Sequence, residues 1–485
     1  MLMLIEPYWP HVLFLLSLVL GATAAIHAAM TKEEVRSAIG WVGIIILSPI
    51  IGALLYFIAG INRIRRSAIS DRRFLLGHVR DHFEAYDATG EMIAERFGER
   101  FAAMKTLGDR VTEHDITTGN VLETLITGDD AYRGMLASIE GAQRSILLET
   151  YIFDRDRIGR RFVAALTAAA QRGVAVRVLI DAVGARYSVP SVLGMLRDGG
   201  VTVDVFNGNV ITGLRLPYAN LRTHRKILVV DGLIAFTGGV NIRESFSGEF
   251  VGAESAIDTH FRITGPVVAD LFAIAASDWR FSTGEDLQGE AWQIVSPTSE
   301  PGAPVAIRAV ASGPDRSIET NHKMLMGAFS VANRSIRIVS PYFLPDRELI
   351  TALITAARRG VEVDVVVPEA NNLTLVDRAM TAQFDQLLKN YCRIWRAPGA
   401  FNHSKLMAID GRWAFVGSSN LDPRSLRLNF EVDLEVMDVS FAQQLERRID
   451  LAISSSSQVT LEGLKNRPPL ARLLDRVLWL GSPYL

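Results

Sequence analysis

Apolar positions along the chain follow three patterns in turn. From Val12 to Met30 and from Ser37 to Asn62 they run almost unbroken, with His27 the only ionisable group in the first run and no charge in the second. Each run reaches the roughly 20 residues that a bilayer-spanning helix needs. Two transmembrane helices, about 12–30 and 39–61, are therefore predicted within a membrane hairpin over residues 1–62. From 63 to about 115 charged residues dominate, with apolar ones at helical spacing in "RRFLLGHVRDHFEAY" and "MIAERFGERFAAM". This pattern predicts a juxtamembrane helical connector whose arginines face water or lipid headgroups. Beyond it, short apolar runs alternate with amphipathic ones.

The alternation occurs twice. "RSILLETYIFDRD" (144–156) returns as "RSIRIVSPYFLPD" (334–346), and "AAAQRGVAVRVLI" (168–180) as "TAARRGVEVDVVV" (355–367). Each copy reads as an apolar strand, a helix ending at Arg-Gly, and a second strand, an order that implies parallel pairing and an α/β fold. The chain is thus a tandem duplication, with one half over 116–300 and the other over 301–485. Near its end "RPPLARLLDRVLWLG" places Leu470, Leu473, Leu474, Val477 and Leu478 at helical spacing. This amphipathic helix either packs on its own domain or lies in a membrane interface.

Charge and cysteine content narrow the function. Among 485 residues, 51 Lys and Arg nearly balance 53 Asp and Glu, without the basic excess that a nucleic-acid partner calls for. A single cysteine, Cys392, excludes an internal disulfide and any CxxC site, and reads as a small buried hydrophobe. Residues 1–11 contain no Lys or Arg, so the positive region of a cleaved signal peptide is missing. Arg63, Arg65, Arg66, Arg72 and Arg73 follow the second apolar run, against Lys32 and Arg36 between the two. The richer side is expected to be cytoplasmic.

The third repeated segment carries the chemistry. "HRKILVVDGLIAFTGGVN" (224–241) and "HSKLMAIDGRWAFVGSSN" (403–420) share His-x-Lys, then Asp, Gly and Asn at matching positions. Side chains at i and i+2 of an extended segment share a face, which pairs His224 with Lys226 and His403 with Lys405. Asp231 and Asp410 fall at the wrong parity and precede Gly between apolar runs, a hairpin-turn signal, so within the candidate catalytic motif they take a structural part. Two His and two Lys at one pseudo-twofold site supply a nucleophile, a proton donor and cations for a phosphodiester without a metal or other cofactor. Asn241 and Asn420 can donate amide hydrogens to the same oxygens. The sequence holds no GxxxxGK[ST], HExxH or GxSxG element.

The duplicated HxKx4D element resembles the signature of the phospholipase D superfamily. The amino-terminal hairpin, "LETYIFDRD", "IDTHFRITGP", "SPYFLPD", "GSSNLDPRSLRLNFE" and the closing "ARLLDRVLWLGSPYL" are similar to the bacterial cardiolipin synthases. The resemblance implies two phospholipase D-like half-domains with mixed or parallel sheets flanked by helices. It also implies phosphatidyl transfer between two phosphatidylglycerols through a phosphohistidine, at a bacterial inner membrane with the catalytic domains in the cytoplasm. By motif position His224 would be the nucleophile and His403 the acid, then the base. Asp258 in "IDTH" and Glu431 in "LNFE" would orient the histidines. Asn402 before the second His and the absence of Gly in "LLKNYCRIWRAP" depart from the family pattern and bear on acceptor choice. Partners are then membrane phospholipids, not nucleic acid, and a homo-oligomer is left open. Hydrolysis, another acceptor alcohol, a membrane-anchored nuclease and an inactive scaffold are the competing readings.

Overall fold

The computed structural model describes residues 8–32, 34–60, 83–207, 221–295, 297, 300–302, 305–315 and 317–482. The chain divides into an amino-terminal unit, Met1–Arg65, and a much larger unit holding the other described residues.

In the amino-terminal unit one helix, Trp9–Thr31, is long and apolar enough to cross a membrane. The second predicted span is helical but broken, into Val35–Leu47 and Pro49–Leu55 followed by a π turn, Tyr56–Gly60. Pro49 is the cause: it has no N–H to donate and pushes the preceding residue out of the α region, and Ser48 accordingly takes φ −144°, ψ 82°. The pieces pack closely on the first helix, where a Cβ on Gly21 would meet the Pro49 ring at 2.8 Å. The five arginines that set the expected orientation lie outside the described residues.

The larger unit contains two sheets built alike. The first half supplies β1 (Val121–Leu125), β2 (Ser145–Thr150), β3 (Ala175–Asp181), β4 (Thr202–Phe206), β5 (Arg222–Thr223), β6 (Ile227–Val230), β7 (Ile234–Gly238) and β8 (His260–Thr264). The second supplies β9 (Ala306–Ser312), β10 (Ser335–Val339), β11 (Glu362–Pro368), β12 (Arg393–Ala397), β13 (Leu406–Ile409), β14 (Trp413–Gly417), β15 (Asn429–Met437) and β16 (Ser457–Gln458). The orders β1-β8-β7-β6-β2-β3-β4 and β9-β15-β14-β13-β10-β11-β12 correspond strand for strand. In each, three parallel strands are followed by antiparallel ones, so the sheets are mixed.

Local signals explain the repeat. Asp156 and Asp346 cap the crossover helices Arg157–Gln171 and Arg347–Arg358 by accepting from the N–H groups of Gly159 and Leu349. The helices end where Gly173 and Gly360 take φ near +90°, the left-handed stop that glycine adopts without strain. Their apolar stripes, with Phe162 and Leu166 in one half and Leu349 and Leu353 in the other, bury against the two sheets. The described part of the predicted connector belongs to this core. Its helices Gly90–Phe97 and Glu99–Val111 bury Ile93, Phe97, Phe101 and Met104 in the second half's cluster.

The halves exchange backbone at the site. β5 of the first half adds in parallel to β15 of the second, and Ile257 bridges Asn402. The two crossings lead directly to the motif histidines: His224 N donates to Phe430 O at 2.8 Å, and His403 N to Ile257 O at 2.7 Å.

Candidate active site

Both His-x-Lys segments are extended approaches to β6 and β13, with the ladder beginning at the residue after each lysine. Lys226 Nζ reaches back to His224 O at 2.6 Å, and Lys405 Nζ to His403 O at 2.5 Å, so each pair shares a side as the i, i+2 spacing predicts. Lys405 Nζ also lies 2.9 and 3.0 Å from the two ring nitrogens of His403. All four side chains are buried, with the histidines edging a cavity of about 490 Å³.

Each imidazole is held by a carboxylate from the other half. His224 Nδ1 lies 2.9 Å from Glu431 Oε2, and His403 Nδ1 lies 2.7 Å from Asp258 Oδ2. With Nδ1–H committed to the carboxylate, Nε2 carries the lone pair. Glu431 is fixed by Ser418 Oγ at 2.6 Å and Asn429 Nδ2 at 3.2 Å, and Asp258 by Thr259 N at 2.7 Å. Gly239 stands where the second copy has Ser418; a Cβ there would sit 2.1 Å from Asp258 Oδ1, so glycine makes room for the shorter carboxylate.

Burial sets the proton affinities. It lowers His224 well below the usual imidazole range, with help from the nearby Lys226 and Lys405 charges. His403 falls to about 4 through burial and Lys405, against the opposing pull of Asp258. Burial lowers Lys405 to about 8 and Lys226 to about 7, each partly restored by the site's carboxylates. Burial alone would raise Asp258, but Lys405 and His403 bring it net below the ordinary carboxylate range.

The motif asparagines also line the cavity. Asn241 Oδ1 accepts from Ile152 N at 3.3 Å, while Asn420 Nδ2 is 3.4 Å from Ser425 Oγ and its buried Oδ1 has no partner among the described residues. Asp231 and Asp410 are not brought to the site. They lie at the far turns of β6–β7 and β13–β14, where each Asp-Gly pair has positive φ at both residues. Asp231 accepts from the N–H groups of Gln143, Arg144 and Ser145, and Asp410 from those of Asn333, Arg334 and Ser335. They clip the turn to the start of the neighbouring strand, a structural duty repeated in both halves.

Several cavity residues had no role assigned from sequence. Tyr151 stacks edge-on against His224 at 5.0 Å between ring centroids, and Tyr342 against His403 at 5.9 Å. Arg222, Arg243 and Arg424 add guanidinium groups to the rim, with Arg243 paired to Asp154 at 3.0 Å. The tyrosines stood in quoted motifs, "LETYIFD" and "SPYFLPD", but nothing in their spacing tied them to a histidine more than 60 positions away. Cys392 is buried in the second half's core, away from this cavity.

Comparison with known proteins shows the family. Residues 135–249 and 325–452 match the family model described as "Cardiolipin synthase, PLD-like domain", and residues 19–60 match "Phospholipase_D-nuclease N-terminal". The chain is 31% identical to cardiolipin synthase A of Pseudomonas putida (strain GB-1) over 488 residues, 99% of both chains. It is 30% identical to the cardiolipin synthase of Alkalihalophilus pseudofirmus, over 92% of this chain and 88% of the relative. A crystal structure of phosphatidylserine synthase from Haemophilus influenzae Rd KW20 shares the fold, with TM-score 0.59 and 17% identity over 79% of this chain and 100% of that one.

Proposed function

The chain belongs to the bacterial cardiolipin synthases of the phospholipase D superfamily, and on that premise we propose that it moves the phosphatidyl group of one phosphatidylglycerol onto a second, yielding cardiolipin and glycerol. It is a membrane-associated phosphatidyltransferase with phospholipid substrates. The observation that carries the finer reading is the crossed pair of carboxylate-held imidazoles at one cavity.

In the proposed course His224 Nε2 attacks phosphorus, and the bond to the departing glycerol oxygen breaks as that oxygen takes a proton from His403. The neutral His403 then accepts the proton of the incoming lipid's glycerol hydroxyl, whose oxygen displaces His224 and restores it. Depressed proton affinity keeps His224 unprotonated and therefore nucleophilic near neutral pH. A bound phosphodiester anion offsets the field of Lys405, so His403 gains its proton in the complex rather than beforehand. Lys226, Lys405, Asn241 and Asn420 supply positive charge and amide hydrogens for the equatorial oxygens, where charge builds in the transition state. One phosphodiester replaces another, so no nucleotide is needed.

The proposal extends to topology. Both apolar segments cross the bacterial inner membrane, with the catalytic unit on the cytoplasmic side. Both histidines come from one chain, so a homo-oligomer is compatible with the reaction without being required, and the near-neutral charge gives no basis for a nucleic-acid substrate.

The test is product analysis. Purified full-length enzyme with labelled phosphatidylglycerol in mixed micelles should release cardiolipin and glycerol in equal amounts. An acid-labile, base-stable label should be trapped on the wild type and be absent from His224→Ala. Phosphatidic acid as the main product would replace transfer by hydrolysis.

A further inference from the structure

The carboxyl-terminal helix, Pro469–Leu480, is turned opposite to an ordinary surface helix. A helix on a soluble domain hides its apolar stripe and shows its charges. Here the side facing the protein carries Asp475, only 2% exposed and gripped by Arg467 at 2.6 Å and Arg378 at 3.4 Å, beside Leu478 and Trp479. Leu470, Leu473, Leu474, Val477 and Leu480 face outward, with Leu470 77% and Leu480 71% exposed. At about 100° per residue these five fall within one stripe. Arg476 borders the stripe and is paired with Asp385 at 3.2 Å, and the exposed Arg472 lies one step farther round the helix. A buried carboxylate with two guanidinium partners fixes the helix in this rotation.

The neighbouring helix leads to the active site. The helix packs on Thr374–Thr381, whose Arg378 is the residue that holds Asp475. One turn before Arg378 on the same face stands Leu375, 55% exposed, and next to it Leu373 and Val376 line the catalytic cavity. Exposed apolar side chains thus stand both on the carboxyl-terminal helix and, through the helix it packs on, at the edge of the catalytic cavity. Arg467 is paired with Asp475 and Arg476 with Asp385, and the exposed Lys465 and Arg472 against Glu462 leave a small positive excess that matches an anionic partner.

We propose that Leu470, Leu473, Leu474, Val477 and Leu480 dock the catalytic unit on an anionic lipid surface, so that lipid reaches the cavity from the membrane past Leu375 and Leu373. Their burial in the acyl-headgroup boundary would supply affinity, and the exposed Lys465 and Arg472 the preference for negative charge. The proposal rests on the lipid-transfer reading for its substrate, but docking itself needs no turnover.

The experiment uses full-length protein carrying Cys392→Ser, His403→Ala and an environment-sensitive fluorophore on Leu473→Cys, reconstituted in phosphatidylglycerol bilayers. Emission should shift to the blue and be quenched by acyl-chain spin labels, with weaker quenching in phosphatidylcholine and none for a probe on Glu462→Cys. Emission indifferent to the spin labels would overturn the proposal, as would a shift in detergent that grows with protein concentration, because a second copy would then cover the helix. In the active enzyme, Leu470→Asp with Leu473→Asp should cut turnover of bilayer phosphatidylglycerol by about tenfold. Turnover of a monomeric short-chain analogue and the melting temperature should stay unchanged. Equal loss on both substrates would give the helix a structural part only. Failure of the transfer reading alone would show as quenching of the labelled protein while the active enzyme, assayed separately, converts bilayer phosphatidylglycerol without forming cardiolipin.

Discussion

Glu431 follows His224 by 207 positions, yet its Oε2 lies 2.9 Å from Nδ1 of that histidine. The reciprocal contact, Asp258 to His403 at 2.7 Å, spans 145 positions. Neither half can complete its own histidine, so the active site exists only when the two halves pack.

The first prediction follows from that exchange. Asp258→Asn and Glu431→Gln keep the shape but lose the charge that stabilises each imidazolium, and should each lower kcat about 100-fold or more. The double variant should fall by less than the product of the single losses, because the two pairs serve one reaction. Turnover of labelled phosphatidylglycerol measures this; near wild-type rates from either single variant would remove the carboxylates from the mechanism.

A second prediction separates the motif aspartates from the chemistry. Asp231→Ala or Asp410→Ala leaves three backbone N–H groups without their shared acceptor, at a cost of about 1–3 kcal/mol. Melting temperature should drop, while activity per folded molecule stays within a few-fold of the wild type. Loss of activity at unchanged melting temperature would give the aspartates a chemical role.

The pH dependence has a definite sign. Lys226 and Lys405, lowered to about 7 and 8, are charged below those values and neutral above them. Affinity for the phosphodiester is therefore present at lower pH and lost as pH rises through this range. The profile of kcat/KM should fall on its alkaline side between about pH 7 and 8, and the corresponding limb of kcat should lie higher, because bound substrate favours the charged lysines. A flat kcat/KM from about pH 6 to 9 would show that the lysine charges are not limiting.

Topology can be tested by thiol labelling in a Cys392→Ser background. Ser37→Cys should react with an impermeant reagent added to intact spheroplasts, and Ser70→Cys only after the membrane is opened, the outcome expected from five arginines between residues 63 and 73. External labelling at position 70 would move the catalytic unit to the other face and change the lipid pool it uses.

Much of this protein is determined locally and can be read in order along the chain. Strand and helix follow from apolar periodicity, the Arg-Gly helix stops from glycine's access to positive φ, and the Asp-Gly hairpins from turn geometry; all act within a few residues. Duplication disclosed the histidines, lysines and asparagines of the site, because His-x-Lys met twice in one frame is improbable without shared chemistry, and the family resemblance pointed to Asp258 and Glu431. Tertiary structure alone decided which carboxylate serves which histidine, since that pairing crosses between halves. It also decided that Tyr151 and Tyr342 face the imidazoles and that the last helix turns leucines outward, whereas the break at Ser48 and Pro49 is local to the proline. Hydrophobic spacing names a stripe but not its partner; here the buried Asp475, held by Arg378 and Arg467, chose the rotation.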